Sequence, residues 1–182
     1  LVLTGFLIAV LIGIPAGVLA SAWQGRFYDG TASLLAIVGA SAPVFALALL
    51  GQQIFFNQLH WLPLNGRLST DVSMAHPIAA LTGFYLIDAL ATGNWDAWRD
   101  AVAHLVLPAL VVAAYPLCVV LRMTRNTMVD VLHQPHIVAA RAKGLCEQTI
   151  LLRHALPYAI LPVLTIAGLT FAYAITGSVL VE

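Results

Sequence analysis

Long apolar stretches separated by short polar ones set the pattern of this chain. Four runs, Leu1–Trp23, Thr31–Phe56, Ala103–Leu121 and Leu156–Val181, are long enough as helices to cross hydrocarbon. A bilayer core is roughly 30 Å thick and each helical residue advances about 1.5 Å. A fifth run, Pro77–Ala91, is shorter and carries Asp88, which predicts an interfacial or re-entrant helix rather than a span. The first run is interrupted at Gly13-Ile-Pro15-Ala-Gly17, and Pro108 and Pro116 stand inside the third. Proline removes a backbone donor and glycine lets helices approach closely. These positions fit either a bend lining a path or ordinary helix packing.

After Arg122 polarity rises abruptly. Thr124 to Leu132 extends the third helix out of the membrane, and Pro135 stops it, since a mid-helix proline costs about 3 kcal/mol. Proline suits a first helical turn, so a short helix is predicted from Pro135 through Lys143. Gly144 suits the left-handed residue that ends it. A further helix, Glu147 to Ala155, leads through Leu156-Pro157 back to the membrane. Ala139, Ala140 and Ala142 leave one side of the short helix without bulk, open to close approach by a partner. Arg141 and Lys143 are placed to face acidic groups or lipid phosphates. A plain basic loop is the other reading of the same residues.

Composition agrees with the pattern: 61% of the 182 residues are hydrophobic and 9% charged, with mean hydropathy +0.93. Soluble domains carry about 25% charged residues, so the bilayer is the natural solvent and the class is an all-α membrane protein. A net charge of zero gives no basic footprint for nucleic acid. Cys118 and Cys146 form neither a disulfide framework nor a zinc knuckle. Both ends of the chain look cut, which suggests an internal piece of a longer membrane protein.

Orientation follows the basic residues. Arg26, Arg122, Arg125, Arg141, Lys143 and Arg153 make six on one side, against Arg67 and Arg99 in the loop from Asn57 to Val102. The 122–157 segment is therefore cytoplasmic. Trp61, Trp95 and Trp98 fall on the outer side, and Trp23 at the inner interface. Proton-coupled carriers use buried ionisable relays. Asp88 and His104 are the candidates here, and both read as interfacial polar residues near helix ends.

Ala139-Ala140, then Gly144, then Leu156-Pro157 resemble the EAA signature of ABC importer permeases, Glu-Ala-Ala-x-x-x-Gly followed at a distance by Ile-x-Leu-Pro. Val138 and His154 stand where that signature has glutamate and isoleucine. Ala140-Arg-Ala-Lys-Gly-Leu145 with Arg153-His-Ala-Leu156 is similar to the dipeptide, oligopeptide and nickel branch, which is itself loose at those two places. Ile12-Gly-Ile-Pro15, Ser41-Ala-Pro43, Trp61-Leu-Pro63, Leu86-Ile-Asp-Ala-Leu90 and His104-Leu-Val-Leu-Pro108 agree with that branch in the same order.

The resemblance implies a multi-helix permease domain over 1–182, lacking a helix before Leu1 and at least one after Glu182, with a cytoplasmic coupling loop at 122–157. It implies that Ala139, Ala140, Arg141, Ala142, Lys143, Gly144 and Leu145, with Leu156 and Pro157, contact a cytoplasmic ATPase subunit. The implied partners are two ATPase subunits, a second, paralogous permease, an extracytoplasmic solute-binding protein and the bilayer of a bacterial inner membrane. No cofactor is implied. The chain has no Gly-x-x-x-x-Gly-Lys-Ser/Thr loop, so hydrolysis would belong to the partners.

Two other classes compete. A membrane enzyme needs clustered polar groups, and His133, His136 and His154 with Asp130 and Glu147 are the material for one. A secondary transporter or channel is disfavoured by spans nearly free of charge.

Overall fold

The computed structural model describes residues 1–63, 66, 68–69, 72, 74, 82–83 and 85–178, with side chains to residue 175. All regular structure among them is helical. Helix α1 spans Val2–Ala22 and α2 Phe27–Ser41. Helix α3, Val44–Gly51, runs on as a wider π turn over Gln52–Gln58. Then come α4 (Tyr85–Ala91), the long α5 (Trp95–Leu132), α6 (Pro135–Ala142) and the short α7 (Glu147–Thr149). A second π turn, Ile150–Ala155, joins α7 to α8, Leu156–Ser178.

Three continuous helical stretches are long and apolar enough to cross a membrane: Val2–Ala22, Trp95–Leu132 and Glu147–Ile175. The second apolar run, expected as a span, is bent, and makes a fourth span only as a broken one. Its halves, α2 and α3 with its π turn, meet at a 104° bend. Ala42 (ψ 130°) and Pro43 (ψ 134°) are both extended there. The pyrrolidine ring disfavours helical backbone at the residue before it, and Pro43 imposes that on Ala42. The 15 residues of α2 reach only about 22 Å, short of the hydrocarbon thickness.

Within the first and third apolar runs proline does not break the helix. Helix α1 continues through Pro15, and α5 through Pro108 and Pro116. Helix α5 also starts earlier than the apolar run, at Trp95. There the Asn94 side chain accepts a hydrogen bond from the Ala97 amide at 3.2 Å, an N-cap that outweighs the polarity of the first turn. Of the fifth run, residues 85–91 form α4, far too short to span, while 77–81 lie outside the described residues.

Helix α5 is the axis, and α1 lies along it. Gly5, Ala9, Gly13 and Gly17, one turn apart, make the contact face of α1 and are all buried. A β-carbon at Gly5 would stand 3.0 Å from the Ala109 carbonyl oxygen, and one at Gly13 3.2 Å from that of Leu117. Between apolar helices in lipid, such close backbone approach supplies the dispersion contact that no hydrophobic driving force provides. The packing reading of Gly13 and Gly17 is the one realised.

Asp88 and His104 are both buried, at 2% and 8% exposure. Asp88 accepts from the Thr82 amide and hydroxyl and the Gly83 amide, pinning that turn onto α4. His104 Nδ1 meets the Asp100 carbonyl oxygen at 2.8 Å. The same ring nitrogen stands 3.6 Å from the Asp100 carboxylate, so Asp88 and His104 are both engaged with near neighbours in the chain.

Candidate functional site: the short exposed helix and its seat

The chain leaves α5 at His133 and turns extended at Gln134 (ψ 150°), as the following proline requires, and Pro135 opens α6 in its first turn. The other end is a Schellman cap. Gly144 is left-handed at φ +78°. Its amide donates to the Arg141 carbonyl at 2.9 Å, and the Leu145 amide donates to that of Ala140 at 3.4 Å. The helix therefore begins where Pro135 predicts and ends one residue before the predicted Lys143, which becomes its C-cap.

Two side chains of α6 turn inward, Ile137 at 0% and Ala140 at 7% exposure. They enter one apolar cluster with Val18 of α1, Met128, Val131 and Leu132 of α5, and Ile150, Ala155 and Ala159 of the return segment. Leu156 packs half-buried against the same cluster. Val138, Ala139, Arg141, Ala142, Lys143, Gly144 and Leu145 are exposed, as is Pro157. The bulk-free outer side is thus Ala139 and Ala142. Ala140 belongs to the seat, because 3.6-residue periodicity puts it beside Ile137.

Arg141 does not extend freely outward. Its Nε and Nη2 reach the Glu147 carboxylate at 2.9 and 3.3 Å across the Gly144 turn. Both partners are exposed, so this pair adds little stability, but it closes the turn over α7. Beside it a groove of about 640 Å³ runs between Trp23, Arg26, His133, Arg141 and Glu147.

Cys146 opens α7, its Sγ 3.0 Å from the Thr149 hydroxyl. That hydroxyl, aided by nearby backbone amides, stabilises the thiolate and holds the thiol below its ordinary range. Cys118 is buried. Maleimide is therefore expected to label Cys146 alone in folded protein, with the rate rising at lower pH than for a free thiol. Thr149→Val should move that rise to higher pH. A pH–rate profile unchanged by Thr149→Val would refute the hydroxyl's part.

A partner of the seat that sequence reasoning missed joins residues 96 positions apart. Arg125 donates Nε and Nη2 to the two oxygens of Asp29 at 2.9 and 2.7 Å, and the Gly25 amide donates to the same carboxylate at 2.9 Å. This bidentate pair ties the start of α2 to α5. Asp29 lies just outside an apolar run, and no local spacing links it to Arg125.

Two of the imidazoles in this segment are engaged locally. His133 turns its Nδ1 to the Val129 carbonyl at 2.7 Å, and His136 packs at a 49° tilt against Tyr158 with ring centroids 4.9 Å apart. Among the described residues no three His, Cys, Asp or Glu side chains are placed to hold a metal ion together.

A bundle of apolar helices that holds a short exposed helix against one end, packed on three of its members, is an all-α integral-membrane protein in class. The chain belongs to the family described as binding-protein-dependent transport system inner membrane component, whose pattern matches residues 13–182. It is 42% identical over 176 residues to the dipeptide transport system permease protein DppB of Escherichia coli (strain K12), covering 96% of this chain and 51% of that protein. Identity to the DppB of Alkalihalophilus pseudofirmus is 36% over 183 residues, covering 100% and 54%. Identity to the peptide transport system permease protein SapB of Salmonella typhimurium is 36% over 187 residues, covering 100% and 56%. The chain spans about half the length of the curated relatives it matches.

Proposed function

We propose that this chain is part of the membrane-spanning subunit of an ATP-driven, binding-protein-dependent importer of di- or oligopeptides. Its bundle contributes to the translocation path, and residues 122–157 couple that path to cytoplasmic ATPase subunits. One observation carries the reading. Helix α6 sits with Ile137 and Ala140 in a core shared with α1, α5 and the return segment, while Val138, Ala139, Ala142 and Lys143 face outward.

A close-packed seat of this kind transmits displacement, because packed cores switch between arrangements rather than deform smoothly. A push on α6 is passed to α1, α5 and α8 together. Two ATPase subunits, a paralogous second permease and an extracytoplasmic solute-binding protein complete the assembly. ATP binding then biases the path between outward and inward access, as a ligand biases any two-state element. The names of the relatives, dipeptide and peptide permeases, support the substrate class.

The test is a crosslink in the full-length, co-expressed transporter with Cys118 and Cys146 replaced. Ala142→Cys, on the exposed side, is expected to bond to a cysteine in the ATPase subunit with a yield that changes with nucleotide. Ala140→Cys, turned into the seat, should react several-fold less. Absence of any Ala142→Cys crosslink in inserted, co-purifying protein would return α6 to an ordinary surface helix.

A further inference from the structure

Helix α5 leaves its apolar zone at Leu121, and the next residue is Arg122. There, between α2 and α5, Ser33, Ile37, Leu121, Arg122, Arg125 and Asn126 line a cleft of about 210 Å³. The cations in it are not equivalent. Arg125 is neutralised by Asp29, and its Nη1 also donates to the Asn126 side-chain oxygen at 3.2 Å. That bond fixes the amide orientation and leaves the Asn126 Nδ2 hydrogens to donate elsewhere. Arg122 is exposed and, among the described residues, makes no hydrogen bond or ion pair. The cleft therefore carries one uncompensated positive charge with the Ser33 hydroxyl and Asn126 amide beside it.

Its depth is marked independently. Trp23, Phe27 and Tyr28 cluster near the same end of the bundle, Tyr28 lying 5.2 Å from Trp23 and 6.3 Å from Phe27 between ring centroids. Exposed aromatic rings of this kind settle at headgroup level. From the cleft toward the hydrocarbon, α2 exposes Leu34, Leu35, Ile37 and Val38. An occupant must then be anionic at Arg122 and apolar along Ile37 and Leu121.

We propose that this cleft binds the phosphodiester headgroup of an anionic phospholipid of the inner leaflet. Arg122, Ser33 and the Asn126 amide donate to the phosphate oxygens, and an acyl chain runs along the outer face of α2. The cleft volume equals several waters, at about 30 Å³ each, enough for one phosphodiester. An anionic lipid is favoured over a zwitterionic one because no acidic side chain lines the cleft, the nearby Asp29 is consumed by Arg125, and Asp130 acts on that same Arg125 from outside the lining. The inference rests on the membrane embedding of α5 and not on the importer reading.

The experiment uses the full-length protein in its assembled transporter, in nanodiscs of equal phosphatidylglycerol and phosphatidylcholine, delipidated stepwise and weighed by native mass spectrometry. Wild type is expected to retain phosphatidylglycerol after phosphatidylcholine has gone. Arg122→Gln should lower that retention about fivefold, the equivalent of about 1 kcal/mol per surface cation. Arg122→Lys, which keeps the charge, should lose much less. Equal retention of the two lipids by wild type, or undiminished phosphatidylglycerol on Arg122→Gln, would overturn the proposal. Displacement of the lipid by millimolar inorganic phosphate would overturn it too, by assigning the site to a free anion.

Discussion

Replacing Gly17 by leucine is expected to remove most folded protein from the membrane. A β-carbon at Gly17 would stand 2.6 Å from the Thr124 β-carbon and 2.7 Å from the Leu121 carbonyl oxygen. Neither atom is the flexible end of a side chain, so relief requires α1 to move off α5. Overpacking a well-formed core ordinarily costs about 1–3 kcal/mol, and a clash with backbone belongs at or above the top of that range. The damage would spread, because Gly5, Ala9 and Gly13 share the interface, and Val18, one residue past Gly17, enters the cluster that seats α6. Gly30→Ala is the control: nothing lies within 4 Å of a β-carbon there, and alanine is favoured over glycine in a helix by up to about 1 kcal/mol. Unfolding of the full-length protein by added SDS, read alongside its abundance in membranes, decides the matter. A Gly17→Leu midpoint equal to wild type would show that α1 and α5 are not held by this contact.

Asp29→Ala is expected to be the next most damaging change, by about 2–3 kcal/mol. It strands the Arg125 guanidinium, whose side chain is only 23% exposed, and leaves the Gly25 amide without its acceptor. The figure stays below that for a fully buried pair because Arg125 keeps some contact with water. Removing both charges together, as Asp29→Ala with Arg125→Met, should be milder than Asp29→Ala alone, since no unpaired ion then remains. A double-mutant cycle by the same unfolding measurement tests this. If the two single effects simply add, the bond contributes nothing beyond its parts, and α2 is held to α5 by apolar contact alone.

Both changes act on features that differ in how far they can be seen from sequence. The four-residue spacing of Gly5, Ala9, Gly13 and Gly17 is visible in the chain, yet Gly13-Ile-Pro15-Ala-Gly17 reads equally as a bend. Only the continuous α1 and its approach to α5 separate the two. Asp29 and Arg125 have no local signal at all. Pro43 was equally present in the chain, inside an apolar run long enough for one span. Hydropathy measures length and apolarity and does not register that proline had extended the backbone at Ala42.

What the amino-acid order determined alone rests on constraints that act within a few residues or on the chain as a whole. Pro135 and Gly144 set the limits of α6 because one fixes φ for a first turn and the other adopts φ +78° without a side-chain penalty. The scarcity of charge made the bilayer the solvent, and the uneven spread of basic residues is what the expected orientation, with 122–157 inside, rests on. Tertiary structure alone decided that Ala140 turns into the seat while Ala139 and Ala142 face out, and that Arg125 is spent on Asp29 while Arg122 has no such pair among the described residues. Those outcomes depend on the rotation and register of one helix against another. Register is set by close contacts between residues far apart in the chain, such as Gly17 on Thr124, and no local propensity encodes it.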